Sequence, residues 1–231
     1  MEELETSHSE LDFAILESLH SHGQPVGSGT LHYALSKRGD KLSAPTIGRK
    51  LRDLEQRGLV AKVSVEGRVL TAAGQKLLRK LTVERQLESS GEALLKLLKR
   101  SGRKDIIDQL VARRVIETET AALAAVNATA QQIKVLEKFI EQGDFHDTIA
   151  EASGNSVLAA MVILLRSQIW LNQIIAAIRA KVGGRLAVDH EEIISAIKGR
   201  KPDLARKAME QHLNKLISDV DRYWEQVFEH R

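Results

Sequence analysis

The stretch Ser43-Ala44-Pro45-Thr46-Ile47-Gly48-Arg49-Lys50-Leu51-Arg52-Asp53-Leu54-Glu55-Gln56-Arg57-Gly58 decides how the chain folds at its front end. Ser43 is a good N-cap, Pro45 is tolerated in a first turn, and Gly58 suits the position just past a helix end. Ile47, Leu51 and Leu54 make an inner stripe, which leaves Thr46, Arg49, Lys50 and Arg52 outside or at its edges. Before this helix, Leu11, Ile15, Leu16 and Leu19 recur at helical spacing until Gly23. Gln24 to Gly27 reads as a turn, and Ser28 or Thr30 caps a second helix through Leu31 and Leu35 to Lys37. Gly39-Asp40 breaks the chain again. After the quoted helix, Leu59 to Val65 alternates, Glu66-Gly67 makes a tight turn, and Arg68 to Thr71 returns. Thr71 then caps a helix through Leu77, Leu78 and Leu81. Three helices and a hairpin in this order spell a winged helix-turn-helix over residues 1–82.

Charge supports that reading. The 231 residues carry a formal charge of +3, but residues 1–36 hold six acids and no Lys or Arg. Residues 37–80 hold twelve Lys and Arg against four acids, a local balance of +8, and 81–231 is close to neutral. A basic block beside a neutral remainder points to a polyanion-binding module joined to something else. On a winged helix the expected partner is double-stranded DNA. Phosphate contacts are expected from Arg49, Lys50, Arg52, Lys62 and Arg68, with Arg68 at the wing tip, and base-edge contacts from Thr46 and Arg49. The competing reading is a solvated basic face on a protein-interaction adaptor.

The rest of the chain shows helical periodicity and no strand pattern. A leucine-bearing helix over 85–100 contains Ser89-Ser90-Gly91 as a soft spot, and 83–102 reads as a linker helix. Spans at 103–126, 129–142, 145–152, 156–182, 189–199 and 202–228 then predict an antiparallel helical bundle over 103–231. The fold class is mainly α. Three histidines, His146, His190 and His212, fall on three predicted helices among apolar neighbours. Such residues are commonly core histidines, but bundles also build metal and ligand sites from inward-facing side chains of different helices. With no cysteine in the chain, disulfides, thiol catalysis and zinc-thiolate sites are excluded. The longest apolar run, Val157 to Leu165, is far below the ~20 residues of a spanning helix. The acidic start Met1-Glu2-Glu3-Leu4-Glu5 lacks signal-peptide character. A cytoplasmic protein is expected, with no membrane partner.

Residues 11–81 resemble the winged-helix domain of archaeal nitrogen-regulatory repressors. Ile15-Leu16, Pro25-Val26-Gly27, Leu54-Glu55-Gln56-Arg57-Gly58-Leu59 and Glu66-Gly67-Arg68-Val69-Leu70-Thr71-Ala72-Ala73-Gly74 carry the resemblance. The opening segment and Ser-Arg-containing recognition helix usual in the GntR family are missing. Residues 103–228, in contrast, resemble the FadR-type (FCD) effector domain of GntR-family regulators. Arg113 through Glu117 to Ala121-Ala122-Leu123-Ala124-Ala125 and Phe145-His146 match first, then Ile149 to Asn155, His190, Ile194, Ala196-Ile197, Ala205, Ala208-Met209 and His212-Leu213.

What the resemblance implies is a ligand-responsive transcriptional regulator, a homodimer and not an enzyme, whose helical domain senses a small carboxylate. It implies that His146, His190 and His212 surround a divalent metal, for which imidazole suits zinc or nickel. The family's aspartate, one turn before the first histidine, is replaced here by Gln142. With Asp144 as the cap of a new helix, neither residue has the spacing of a ligand. A three-histidine site completed by water or effector, and a metal-free pocket that binds an anion directly, both remain open. Arg113 matches the arginine that faces the effector, whereas by spacing alone, beside Arg114 and one turn from Glu117, it reads as half of a surface ion pair. The enzyme alternative is a hydrolase in which a three-histidine metal activates water.

Overall fold

A computed structural model describes the chain except for residues 1, 40–41, 64–66, 139–144, 183–185 and 229–231. The chain divides into two compact units, Met1–Glu92 and Ala93–Arg231.

The first unit contains α1 (Glu2–His22), α2 (Ser28–Lys37), α3 (Ala44–Gln56), β1 (Val60–Val63), β2 (Gly67–Leu70) and the start of α4 (Ala72–Leu98). Its core is a single apolar cluster in which Ile15, Leu16, Leu31, Leu35, Ile47, Leu51 and Leu54 are fully buried. Those are the stripe residues of α1, α2 and α3. β1 and β2 pair antiparallel, with Val60 opposite Leu70 and Lys62 opposite Arg68. Val26, just before α2, adds a short third rung by exchanging backbone hydrogen bonds with Arg68, 3.0 Å each way. That rung explains Gly67. Its φ is +135°, and a Cβ there would stand 2.3 Å from the Val26 carbonyl carbon, so only glycine allows the strands to close. Gly74 lets α4 start against the Leu59 carbonyl, 2.0 Å from where a Cβ would lie. The wing-tip turn before Gly67 lies outside the described residues.

The second unit is helical throughout its described residues: α5 (Arg103–Asn127), α6 (Ala130–Lys138), α7 (Phe145–Ala152), α8 (Ser156–Arg166), α9 (Ile169–Val182), α10 (Leu186–Lys198) and α11 (Pro202–Phe228). The long helices α5 and α11 pack along one another, and α7, α9 and α10 close around them. The core runs through Leu110, Phe145, Ile149, Ile178, Ile193, Leu213 and Val220. Arg200, in the left-handed region at φ 55°, ties α10 to the end of α5 by donating to the carbonyls of Ala125, Val126 and Ala128. These are orphan carbonyls that a helix end must satisfy somehow.

The structure departs from the predicted spans at three places. The span 156–182 is two helices, because Ser167 donates to the Leu164 carbonyl and the Asn172 amide donates to the Arg166 carbonyl. Side chains thereby satisfy a helix end that has no Gly or Pro to announce it. Residues 72–98 form one helix, with Gly91 exposed in its interior at a cost of about 1 kcal/mol. α10 begins at Leu186 rather than 189. No single helix among the described residues is long and apolar enough to cross a membrane.

Candidate functional sites

The first candidate surface is the outer side of α3 and the adjoining hairpin. Ser43 caps α3, its hydroxyl accepting from the Thr46 amide at 3.3 Å and lying 2.8 Å from the Thr46 hydroxyl. The inner stripe is fully buried, so the opposite side of the helix must face outward. Arg49, Arg52 and Lys62 are exposed there, and Thr46 is half-buried in the first turn. Arg49 donates weakly to the Thr46 hydroxyl at 3.5 Å.

The remaining two cations of the sequence reading are placed differently. Lys50 is largely buried and lies 2.7 Å from the buried carboxylate of Asp12 in α1, which Arg57 also binds at 2.7 Å. Arg68 stands within β2 rather than at the wing tip, and its Nε and one Nη donate to Glu55 at 3.0 and 2.8 Å. Both side chains thus brace α3 against its neighbours. The sequence showed their charge but hid these partners, since Asp12 is 38 residues from Lys50 and Glu55 is across the hairpin.

The second site lies inside the helical unit. His146 comes from the first turn of α7, His190 from α10 and His212 from the middle of α11, and they are 4%, 6% and 2% exposed. One ring nitrogen from each falls within 4.8 Å of the others. Phe145 stacks on His190 at 4.1 Å and so sets the plane of that ring. Behind His146, α5 supplies Arg113 and Glu117. Arg113 Nε donates to one Glu117 oxygen at 2.6 Å, and the other oxygen lies 2.5 Å from His146 Nδ1. This pair is buried, 2% and 1% exposed, which corrects the surface ion pair expected from spacing alone. The helix turn was legible; that α7 covers it was not.

Electrostatics follow from burial. Burial opposes ionisation of Glu117, but Arg113 and then His146 outweigh it and hold the carboxyl well below the usual carboxylate range. Burial pushes His146 down to about 3, opposed by Glu117 and reinforced by Arg166. It pushes His212 down to about 2, with His146 and His190 adding to it. Two of the three imidazoles are therefore neutral at physiological pH, the form that ligates metal.

These residues fit a divalent ion. Nitrogens bonded to one zinc at about 2.0–2.1 Å stand about 3.4 Å apart, inside the 4.8 Å limit of the cluster. Glu117 at Nδ1 of His146 is the carboxylate partner that orients a ligating imidazole and leaves Nε2 as donor. Gln142 and Asp144, which bear on the missing carboxylate, lie outside the described residues.

Two further arginines, not singled out by the sequence, approach the cluster. Arg166 ends α8 and pairs with Asp147 of α7 at 2.8 Å. Arg179 projects from α9, and the only available sign of it was the one arginine, two residues before Lys181, in the otherwise apolar run Ile174 to Val182.

Comparison with known proteins adds two family matches. Residues 141–215 match the FCD domain, and residues 13–78 match the ribonuclease R winged-helix domain. The Uxu operon regulator of Haemophilus influenzae is 30% identical over 48% of this chain and 52% of its own length. The HTH-type transcriptional repressor NanR of Citrobacter rodentium is 32% identical over 44% of this chain and 46% of its own. The Exu regulon transcriptional regulator of Escherichia coli K12 is 31% identical over 45% and 47%. The chain thus spans about half the length of the curated relatives it matches. Fold order and both matches agree: a winged-helix unit precedes a helical unit that matches the FCD domain, and over about half its length the chain is similar to transcriptional regulators.

Proposed function

We propose that the protein is a ligand-responsive transcriptional regulator of the cytoplasm, a homodimer whose winged helices bind duplex DNA and whose FCD domain senses a small carboxylate. The observation that carries the reading is the pairing of an outward basic helix face in one unit with a buried histidine cluster in the other. The named roles of the relatives, all regulators, support it over a hydrolase. Likeness to the archaeal nitrogen-regulatory repressors supports the use of the N-terminal unit on DNA.

In this reading Arg49, Arg52 and Lys62 neutralise phosphates, while Thr46 and Arg49 stand at the end of α3 that would meet base edges. Lys50 and Arg68 keep α3 and the wing in shape. In the FCD domain, His146, His190 and His212 would hold zinc or nickel, with Glu117 orienting His146. The bound ion would supply positive charge for a carboxylate oxygen. An effector changes DNA binding only if it favours one arrangement of the chain over another.

Band-shift titration on the chain's own promoter tests the DNA half. Expected is preference for that duplex over an unrelated one, with affinity falling steeply in salt. Equal binding to both overturns it. For the metal half, zinc at a hundredfold its Kd should stabilise the fold by about 2.7 kcal/mol, and His190→Ala should abolish both the shift in Tm and the zinc content. A zinc response unchanged in His190→Ala overturns the site.

A further inference from the structure

Resting on the effector-sensing reading, we propose that Arg179 is the anchor for the effector's anionic group, and that this group carries one negative charge, as a carboxylate does.

Three guanidinium groups act electrostatically on the histidine cluster. Arg113 and Arg166 both act on His146, and Arg179 acts on His212. Arg113 and Arg166 also act on Arg179, so both lie within electrostatic reach of it. Two of them are matched by carboxylates: Arg113 by Glu117 at 2.6 Å, Arg166 by Asp147 at 2.8 Å. For Arg179 no carboxylate among the described residues offsets the repulsion. Burial first, then the other two arginines, pushes it down to about 10. Its Nε is buried with no hydrogen-bond partner, on a helix whose adjacent positions, Ile175 and Ile178, are core.

Arg179 as a whole is half-buried, and a guanidinium whose Nε is enclosed without a partner is unfavourable by itself. Arginine does not escape by losing its proton at physiological pH, so what relieves it is an anion from outside. One unmatched cation calls for one negative charge. That favours a carboxylate over inorganic phosphate, about half of which carries a second charge at neutral pH. The guanidinium fork also matches the two oxygens of a carboxylate. The assignment moves the anchor from Arg113, whose Nε is already committed to Glu117, to Arg179. Neutral His212 beside it, or an ion held there, would meet the remainder of the ligand.

The test uses the full chain and thermal melts in sodium acetate, glycolate, gluconate or phosphate against sodium chloride of equal ionic strength. Expected is a rise in Tm with at least one of the three carboxylates that exceeds the rise with phosphate. Arg179→Gln should melt higher than the parent in chloride, because the unmatched charge is gone, and should lose the carboxylate response. Arg179→Lys should retain part of it. An arginine that merely supports the fold would behave oppositely, with Arg179→Gln melting lower in chloride. That result overturns the proposal, as does a carboxylate response that survives Arg179→Gln, the lack of any such response in the parent, or a larger rise with phosphate. The band-shift experiment separates the two ideas. Specific DNA binding with a carboxylate response indifferent to Arg179 removes only the anchor. An Arg179-dependent response in a chain that ignores its promoter removes only the regulator.

Discussion

At the scale of the residue, the chain Arg113–Glu117–His146 shows how much rests on one carboxylate. Glu117 is buried, accepts from Arg113 and stands against His146 Nδ1. Removing it leaves Arg113 charged, buried and uncompensated, which costs about 3–5 kcal/mol. Glu117→Ala should therefore lower the urea midpoint by that equivalent without changing the slope of the transition. Replacing both members, Arg113→Met with Glu117→Leu, should recover most of the loss. If Glu117→Ala falls within about 0.5 kcal/mol of the parent, as a surface substitution does, the pair is not bearing on the fold. The i, i+4 spacing of Arg113 and Glu117 was legible in the sequence, and so were three histidines on apolar faces. The burial was not, because it is created by α7, which begins 28 residues after Glu117. Arg179 was less legible still. A single arginine in Ile174 to Val182 has the pattern of a side chain reaching for solvent from an apolar helix.

At the scale of the element, α3 was readable from end to end because each local signal agreed with the next. Ser43 caps it, Pro45 sits in its first turn, Ile47, Leu51 and Leu54 face inward, and Gly58 at φ 71° follows its end. Consistency of this kind is what makes a segment predictable. Ser43→Ala deletes the acceptor for the Thr46 amide and should cost about 1 kcal/mol, with Ser43→Asp restoring most of it. Chemical denaturation followed by a probe in the first unit checks this, and a loss below about 0.3 kcal/mol would show the cap to be idle. The α8–α9 break had the opposite fate. It uses Ser167 and Asn172 side chains on carbonyls, with no glycine or proline, so an apolar run from Val157 read as continuous. The 72–98 helix shows the reverse error, since the span through Leu81 and the span from 85 run on as one helix; the soft spot at Gly91 lies inside it, weakening the helix without ending it.

At the scale of the whole molecule, net charge says little until it is divided between cations that face outward and cations that hold the fold. The basic block of residues 37–80 has a balance of +8, yet Lys50 and Arg68 each lie against a carboxylate of the same unit, while Arg49, Arg52 and Lys62 are exposed. Only charges that replace counterions on DNA contribute to the salt dependence of binding, at about 0.9 in the log–log slope per phosphate neutralised. Arg49→Ala, Arg52→Ala and Lys62→Ala should each flatten that slope by about 1 while leaving thermal stability close to the parent. Lys50→Ala and Arg68→Ala should do the converse, lowering the melting temperature of the first unit and leaving the slope unchanged wherever the protein is still folded. Lys50→Ala should be the more damaging of the two, because Asp12 is buried and, among the described residues, is left with the partly exposed Arg57 as its counter-charge. Filter binding of the five variants between 50 and 200 mM salt, with melting curves on the same preparations, separates the two groups. A slope that falls as much in Lys50→Ala as in Arg49→Ala would mean that Lys50 leaves Asp12 on meeting DNA, and the division of the basic block between binding and bracing would fail.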